Sequence, residues 1–314
     1  MFLGRLNGIA LNPAEQKEHP LICLEHATAV GVSGAIVDAS SKLVGCYSAN
    51  RAMLDRLGSL EKHKLLSRYN LIWKRFSKGR LAVATATSAD HNYFHWMLDL
   101  VPRLIDLQRS RELWDQVLIS YAKDILPFQQ ETLDLLGVDQ DRRIRATRRQ
   151  CWTAACLVVP ALPDSFAKVQ PQVVMQVRQA FARLLKKVEG FEKILICRQK
   201  GHPRSFSNHD EVVDFFESLG YKKIYLEDYS VAEQAAIFYS AQKVVAVHGA
   251  GLTNLVFSHP EQAVVEIFGE DYQPRCFEEI ATILGLNYQK IVFPYSSQAL
   301  CVDVDQLKKA IAHD

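Results

Sequence analysis

A run of small residues follows a strand-like apolar run in the segment 244–260, VVAVHGAGLTNLVFSHP. Gly249 and Gly251 allow the backbone to turn sharply and to approach a ligand without side-chain obstruction. Thr253 or Asn254 can cap the short helix that is expected next, and amide groups at a helix start after a strand form a natural phosphate site. The segment therefore predicts phosphate binding, with a ligand-free tight turn as the structural alternative.

This segment differs from the known nucleotide-binding loops. Asn254 stands where GxGxxG has its third glycine, and the GK[ST] of a P-loop is missing. The letters HGAG are also found in the oxyanion loop of esterases, but the chain has no GxSxG nucleophile elbow. A hydrolase is therefore kept as an alternative of a different class.

A second group of chemically capable residues lies in the segment 91–104, HNYFHWMLDLVPRL. His95, Asp99 and Arg103 follow one another at intervals of four, which places them on one face of a helix. A carboxylate can orient an imidazole so that the imidazole acts as a general base. The alternative is a surface ion pair beside a packed histidine.

Arginines follow a strand in the segment 196–212, ICRQKGHPRSFSNHDEV. Arg198 and Arg204 lie beyond the carboxyl end of that strand, where they are placed to hold a diphosphate, although exposed loop arginines are common. Asn208 and Glu211 have the spacing of a capping box for the next helix.

Two DxD triplets are candidates for a metal-bound nucleotide. Asp139–Asp141 has the context of a turn, and Asp303–Asp305 has that of a helix cap. Neither ends a buried strand, so we interpret both triplets as structural elements rather than as metal sites.

Composition limits the class of protein. Of 314 residues, 48% are hydrophobic and 23% are charged, which excludes a disordered chain. A net charge of +2 argues against a nucleic-acid-binding protein. Seven scattered cysteines without CxxC indicate reduced thiols, and we find neither a secretory signal nor a span of the ~20 apolar residues that a membrane helix needs. We therefore predict a cytoplasmic protein, with peripheral contact at the inner face of the membrane left open.

Strands and helices alternate along the chain, which predicts an α/β protein. Short β-prone runs occupy 21–48, and a helical pattern in 90–109 contains Pro102, so that this helix is kinked or divided. The Pro-punctuated stretch 160–171 is the candidate linker. We predict two α/β domains facing a cleft, 1–165 with a β-rich start and 166–314 with a parallel sheet, and leave open whether the last helix packs back on the first domain.

Together these motifs resemble the family 61 glycosyltransferases over roughly residues 20 to 295, most specifically in HGAGLTN and the trailing VEI. The matching residues are Asn92, Tyr93, His95, Trp96, Asp99, Pro102 and Arg103, then Arg198, Arg204, Asn208, Glu211, Glu227 and Gln234, and last His248 to Asn254 with Glu266.

The resemblance implies the glycosyltransferase-B architecture of two Rossmann-like domains, with the acceptor on the first and the nucleotide on the second. It implies a metal-independent, inverting hexosyl- or pentosyltransferase that uses a nucleotide sugar, expected to be a UDP-sugar, in bacterial capsule or lipopolysaccharide synthesis. The implied partners are this donor and a glycan or lipid-linked glycan acceptor, and no metal or other cofactor is expected. The implied donor-binding residues are Arg198, Arg204, His248, Gly249, Ala250, Gly251, Leu252, Thr253, Asn254 and Glu266.

Within that architecture we assign roles to these residues. Arg198 and the backbone of 249–254 are expected to hold the diphosphate, and Glu266 the ribose hydroxyls. His248 contacts either the diphosphate or the sugar. The alternatives to the transferase are a non-catalytic nucleotide-binding assembly subunit, the hydrolase named above and a nucleotide-sugar epimerase.

The catalytic base is expected on the first domain, opposite the leaving diphosphate. Histidine, with an ordinary pKa of ~6.5, suits proton transfer at neutral pH, whereas an aspartate paired with arginine is a weaker base. We therefore predict His95 as base, with Asp99 orienting it and Arg103 anchoring Asp99. Asp99 as the base is the alternative, and His91 is the third candidate.

Overall fold

The chain forms two compact units, Met1–Ala180 and Phe181–Asp314. A computed structural model describes residues 21–32, 34–40, 44, 47, 73–86, 88–163, 168–198, 205–296 and 299–311. The predicted alternation of strands and helices is confirmed in both units. No helix in the described ranges is long and apolar enough to cross a membrane.

The first unit contains one seven-stranded mixed sheet. Its strands in chain order are β1 (Leu21–Glu25), β2 (Thr28–Val30), β3 (Ala35–Val37), β4 (Trp73–Ala84), β5 (Gln116–Ile119), β6 (Arg143–Arg145) and β7 (Gln150–Pro160). The strand order is β3-β2-β7-β4-β5-β6, and β1 also pairs with β7. Strands β7, β4, β5 and β6 are parallel to one another, whereas β1, β2 and β3 join antiparallel.

This sheet differs from the regular parallel sheet that two Rossmann-like domains imply. The connection between β2 and β3 is too short for a helical crossover, so these strands form an antiparallel hairpin. Strands β1 and β2 lie one after the other along β7 and pair with it antiparallel. In the parallel part, the order of strands reverses between β4 and β7. The carboxyl ends of these two neighbours therefore mark a topological switch point, where open α/β sheets bind ligands.

A composite helix carries the predicted base. It consists of α1 (Tyr93–His95), a π-helical turn (Trp96–Leu100) and α2 (Val101–Arg109). Pro102 lies in the first turn of α2, directly after the π-helical turn. Proline lacks the amide hydrogen that a continuous α-helix needs, so a wide turn at this point agrees with the predicted division.

Further helices cover the sheet of the first unit. They are a 3-10 turn (Arg111–Leu113), α3 (Pro127–Leu135), a second 3-10 turn (Gln140–Arg142) and α4 (Pro171–Ala180). Gln176 of α4 donates to the Pro102 carbonyl at 3.2 Å and to Asp106 of α2 at 2.7 Å. Helix α4 therefore belongs to the first unit. The first unit ends at Ala180, whereas the sequence predicts a boundary between 165 and 166.

The second unit contains a five-stranded sheet in which all strands are parallel. Its strands are β8 (Lys193–Ile196), β9 (Lys222–Ile224), β10 (Lys243–Val247), β11 (Ala263–Gly269) and β12 (Asn287–Phe293). Their spatial order, β12-β11-β10-β8-β9, is the doubly wound order 2-1-3-4-5 within this unit. The switch point lies between β8 and β10.

Helices surround this sheet, and the last one packs within the second unit. They are α5 (His209–Ser218), α6 (Val231–Ser240), α7 (Cys276–Leu284) and α8 (Val304–Ile311), with 3-10 helices at Ala182–Leu184, Leu226–Asp228 and Ala250–Phe257. A short hairpin pairs β13 (Tyr295–Ser296) with β14 (Ala299–Leu300). Leu307 of α8 joins the core that contains Val212 and Phe216 of α5. The last helix therefore contributes to the core of its own unit.

Candidate functional site

Arg198 and His248 meet at the switch point of the second sheet. Each follows the carboxyl end of one of the two central strands, β8 and β10, which are paired in register. The Nη2 atom of Arg198 donates to the His248 carbonyl at 2.9 Å. A guanidinium group therefore lies beside the backbone at the position where doubly wound sheets bind ligands.

Gly249 leaves the space that the Arg198 guanidinium occupies. A Cβ atom on Gly249 would lie 1.8 Å from Nη2 of Arg198, whereas the φ of 173° is extended backbone that any residue adopts. A Cβ atom on Gly251 would lie 2.5 Å from Cδ1 of Leu226. The glycines thus permit close packing of an arginine and a leucine against the turn. The predicted approach of a ligand to this backbone stays a prediction.

The HGAGLTN segment leads into the 3-10 helix Ala250–Phe257, and its buried side chains pack beneath this helix. Leu252, Thr253 and Asn254 are buried, backbone included, so none of them can contact a ligand without rearrangement. The predicted cap is wrong, because Gly249 occupies the cap position and no side chain caps the helix. Ala250 and Gly251, at the start of the helix, are partly exposed.

A buried amide pair attaches this helix to α6. Asn254 donates to Oε1 of Gln234 at 2.7 Å and to the Gly251 carbonyl at 3.1 Å. Gln234 in turn donates to the carbonyls of Leu226 and Tyr229 at 2.8 and 2.9 Å. The Asn254 side chain therefore holds the turn in place, which explains why asparagine stands at the position of the third glycine in GxGxxG.

His248 belongs to a buried chain of hydrogen bonds. Its Nδ1 lies 2.5 Å from Oε1 of Glu266, and the hydroxyl of Tyr288 donates to Oε2 of Glu266 at 2.6 Å. Glu266 is 0% exposed and both of its oxygens are engaged, so the predicted contact with ribose hydroxyls is replaced by a contact with His248. Burial places this carboxylate out of a ligand's reach.

Aromatic rings enclose the His248 imidazole. The ring stacks on Phe268, with centroids 5.0 Å apart, and contacts Tyr272 and Phe277 at 5.6 and 5.3 Å. The sequence analysis did not identify Tyr288 or these aromatic residues. A strand pattern shows which face of β12 is buried, but it does not show which residue of the neighbouring strand lies opposite.

Burial and the Glu266 carboxylate act on two neighbouring groups. Burial raises the pKa of the Tyr288 hydroxyl far above its ordinary value, and the charge and hydrogen bond of Glu266 add to this effect. Burial also raises the pKa of the Cys276 thiol to about 12, with Glu266 contributing in the same direction. Both groups remain protonated at neutral pH, so Tyr288 acts only as a hydrogen-bond donor to Glu266.

Two other predicted residues of this region have different outcomes. Arg204 lies outside the described residues. Asn208 occupies the helix-cap position, but the predicted capping box is wrong. Its side-chain amide donates to Glu211 and to the Val302 carbonyl, both at 2.8 Å, and thereby fixes the carboxyl-terminal segment.

In the first unit, the structure brings His95 and Asp99 together. Nδ1 of His95 lies 2.7 Å from Oδ2 of Asp99, and their side chains are 16% and 13% exposed. The side chain of Asn92 caps α1, accepting from the amides of Phe94 and His95 at 2.9 and 3.4 Å. The pair is thus held at the start of a capped helix, with a small part of each side chain open to a ligand.

Arg103 does not anchor Asp99. It is 0% exposed, and its guanidinium donates to the Thr85 carbonyl and, at 3.3 Å, to the Pro160 carbonyl. These carbonyls stand at the carboxyl ends of β4 and β7, so Arg103 joins the two strands at the switch point of the first sheet.

Unsatisfied polar atoms surround this position. Oδ1 of Asp99, Nε of Arg103 and Oγ1 of Thr85 are buried without a hydrogen-bond partner. Burial lowers the pKa of Arg103 to about 10, whereas the nearby carboxylates of Asp106 and Asp99 favour its charged form. Arg103 is therefore a cation at neutral pH and adds positive charge near Asp99 without binding it.

His91 is separate from this pair. Its Nδ1 lies 2.7 Å from Oδ1 of Asp90, and its side chain is 62% exposed. Gln129 is buried and donates to the carbonyls of Ala89 and Asp90 at 3.1 and 3.3 Å, which fixes the loop before α1. His91 can reach solvent, but it lacks the enclosure that His95 has.

The described residues contain no group of three or more histidine, cysteine or acidic side chains placed to hold a metal ion. Asp139 precedes the 3-10 turn Gln140–Arg142, and Asp303 accepts from the amides of Asp305 and Gln306 at 2.9 and 3.0 Å. The predicted turn and helix cap are thus confirmed for the two DxD triplets.

A family model described as Glycosyltransferase 61 matches residues 93–265, more than half of the chain. The chain is 27% identical over 105 residues to the EGF domain-specific O-linked N-acetylglucosamine transferase of Mus musculus, covering 32% of the chain and 20% of that protein. It is 30% identical over 103 residues to the alpha-1,3-arabinosyltransferase XAT3 of Oryza sativa subsp. japonica, covering 31% of the chain and 18% of that protein. The chain therefore spans about a fifth of the length of these relatives.

Proposed function

The chain belongs to glycosyltransferase family 61, and from this premise we propose that it is an inverting, metal-independent transferase of the glycosyltransferase-B type. The proposed donor is a UDP-sugar, and the proposed acceptor is a hydroxyl of a glycan or glycolipid in bacterial capsule or lipopolysaccharide synthesis. Two relatives named as an N-acetylglucosamine transferase and an arabinosyltransferase support sugar transfer without deciding which sugar is moved.

The observation that carries this proposal is the meeting of Arg198 with Gly249 at the switch point of the second sheet. The guanidinium group supplies positive charge, and the glycine leaves room for it directly beside the turn. Amides at the start of Ala250–Phe257 follow directly. Positive charge and oriented amides stabilise a departing diphosphate, which is the group that leaves during transfer from a nucleotide sugar.

The proposed base is His95 of the first unit. The acceptor hydroxyl gives its proton to Nε2 of His95, the nitrogen that Asp99 does not engage, while its oxygen forms a bond to the anomeric carbon. The bond from that carbon to the diphosphate oxygen breaks, and UDP leaves with the electron pair. Asp99 orients the imidazole and stabilises the positive charge that it acquires.

UDP should raise the thermal midpoint of the protein in the presence of EDTA. Binding at about 100 times Kd stabilises the folded state by about 2.7 kcal/mol, which thermal denaturation detects. Gly249→Ala should abolish most of this shift, because a Cβ atom 1.8 Å from Nη2 displaces the Arg198 guanidinium. The double variant Gly249→Ala with Arg198→Ala should bind UDP no more weakly than the single variant Arg198→Ala, because no guanidinium is then left to be displaced.

Two results would contradict the proposal. A shift that requires a divalent metal would exclude the metal-independent reaction. UDP binding without sugar transfer or slow donor hydrolysis, over a panel of nucleotide sugars, would favour the non-catalytic assembly subunit instead.

A further inference from the structure

Glu266 is a buried carboxylate whose charge must be compensated within the second unit. An ionised carboxylate is costly to bury unless it is paired and hydrogen-bonded. Tyr288 contributes a neutral hydrogen bond at 2.6 Å, and this hydroxyl keeps its proton at neutral pH. The His248 imidazole, with Nδ1 at 2.5 Å, is the group in contact with Glu266 that can carry a compensating positive charge.

The other groups around His248 do not compete for this role. The Arg198 guanidinium contacts the backbone carbonyl of His248, and Tyr272 meets the ring edge. The Cys276 thiol beside Glu266 remains neutral, because burial raises its pKa to about 12. Lys290, the register partner of Glu266 on β12, is exposed, and its ammonium lies 5.5 Å from the centroid of the Phe268 ring.

The orientation of the ring follows from the same contacts. Because Nδ1 is directed to Glu266 and the ring faces are covered by aromatic residues, Nε2 is the ring nitrogen available to a ligand. His248 directly precedes Gly249, so this ring stands at the switch point where the diphosphate is proposed to bind. An imidazolium in this position would lie between two anions, the carboxylate and the diphosphate.

We propose that Glu266 and Tyr288 hold His248 as an imidazolium, which binds the leaving diphosphate through Nε2–H. This inference rests on the proposed function and resolves the two contacts left open for His248 in favour of the diphosphate. Glu266 is a positioning residue that acts through His248. Binding through a protonated His248 has a consequence that binding through Arg198 does not have. At a pH where His248 of the free protein is neutral, the binding of UDP is coupled to the uptake of a proton.

The test is the pH dependence of UDP affinity, measured by isothermal titration calorimetry with EDTA between about pH 7 and pH 9, where the terminal phosphate of UDP is ionised. Two buffers of different ionisation enthalpy report the protons taken up. In the wild-type protein, affinity should fall as pH rises, by about 10- to 100-fold in total, the value of a hydrogen bond to a charged group.

Two conservative variants should shift the pH at which UDP affinity falls, and they should shift it in opposite directions. Glu266→Gln removes the carboxylate that favours the protonated ring, so the fall should begin at lower pH. Tyr288→Phe keeps the ring but removes a hydrogen bond that stabilises the carboxylate, so the Glu266–His248 pair should retain its proton to higher pH. Glu270→Gln, an exposed carboxylate just beyond β11, is the matched control and should leave the profile unchanged.

Opposite shifts are a result that a purely structural role would not produce, because misfolding would weaken binding equally at every pH. A wild-type affinity independent of pH, or a Glu266→Gln profile identical to that of the wild type, would overturn the inference and leave the proposed function standing. Absence of UDP binding by the wild-type protein would overturn both.

Discussion

At the scale of single residues, the two histidines of the candidate sites have the same kind of partner and different surroundings. His95 and His248 each direct Nδ1 to a carboxylate, at 2.7 and 2.5 Å. The side chain of Asp99 is 13% exposed, whereas that of Glu266 is 0% exposed. A partly open pair can exchange a proton with an acceptor hydroxyl, whereas a fully buried carboxylate favours a positively charged partner. This difference underlies the assignment of His95 to proton transfer and of His248 to the diphosphate.

Replacing His95 by alanine should lower turnover by about two to four orders of magnitude, the usual contribution of a general base, with little change in UDP affinity. Turnover is measured as UDP release in the presence of an acceptor, and affinity by calorimetry. His91→Ala is the matched control, because His91 is exposed and bonded to Asp90. Near-normal turnover of His95→Ala would refute the assignment, and loss of UDP binding would move His95 to the donor site.

At the scale of elements, the 3-10 helix Ala250–Phe257 depends on the buried bond between Asn254 and Gln234. Asn254→Leu would leave Oε1 of Gln234 buried without its donor at 2.7 Å. We expect a loss of about 1–3 kcal/mol in the free energy of unfolding, the cost of an unpaired buried polar group. Urea denaturation measures this loss.

Thr253 provides the control for that variant. Its hydroxyl is also fully buried, but it has no hydrogen-bond partner. Thr253→Val should therefore be neutral or stabilising, since it replaces an unpaired hydroxyl with a methyl group of similar shape. Equal destabilisation by both variants would show that packing, rather than the amide bond, holds the helix.

At the scale of the whole molecule, each unit contains an extended hydrophobic core of its own. In the first unit this core joins β1, β4, β5 and β7, and in the second it joins the parallel sheet with α5 and α8. The cysteines in the described part of both units are free thiols, in agreement with the prediction of reduced cysteines. The thiols differ in exposure, so they should differ in their reactivity toward an alkylating reagent.

Cys301 should react with iodoacetamide at about pH 8, whereas Cys197 and Cys276 should resist it. Desolvation raises the pKa of the buried Cys197 thiol and of the partly buried Cys276 thiol to about 12, so the reactive thiolate is scarce below that pH, whereas Cys301 is exposed. Mass spectrometry after brief labelling measures the three sites. All three should react in denaturant, and rapid labelling of native Cys276 would contradict its burial beside Glu266.

Local patterns in the sequence determined much of this protein. Alternating apolar runs and turns were sufficient to predict α/β units, and HGAGLTN predicted a sharp glycine turn after a buried strand. The spacing of His95 and Asp99 predicted their contact, because residues four apart meet within one helical turn. Pro102 likewise indicated a divided helix, since the missing amide hydrogen acts locally.

Only the tertiary structure decided the contacts between distant segments. The neighbours of Glu266 are set by the order and register of β10, β11 and β12, which no local period encodes. Arg103 was assigned to Asp99 by spacing, but two strand ends offered carbonyls to its buried guanidinium. A buried charged group pairs with the groups that the sheet order places beside it. The reason is that an unpaired charge in the interior costs more free energy than any local preference supplies.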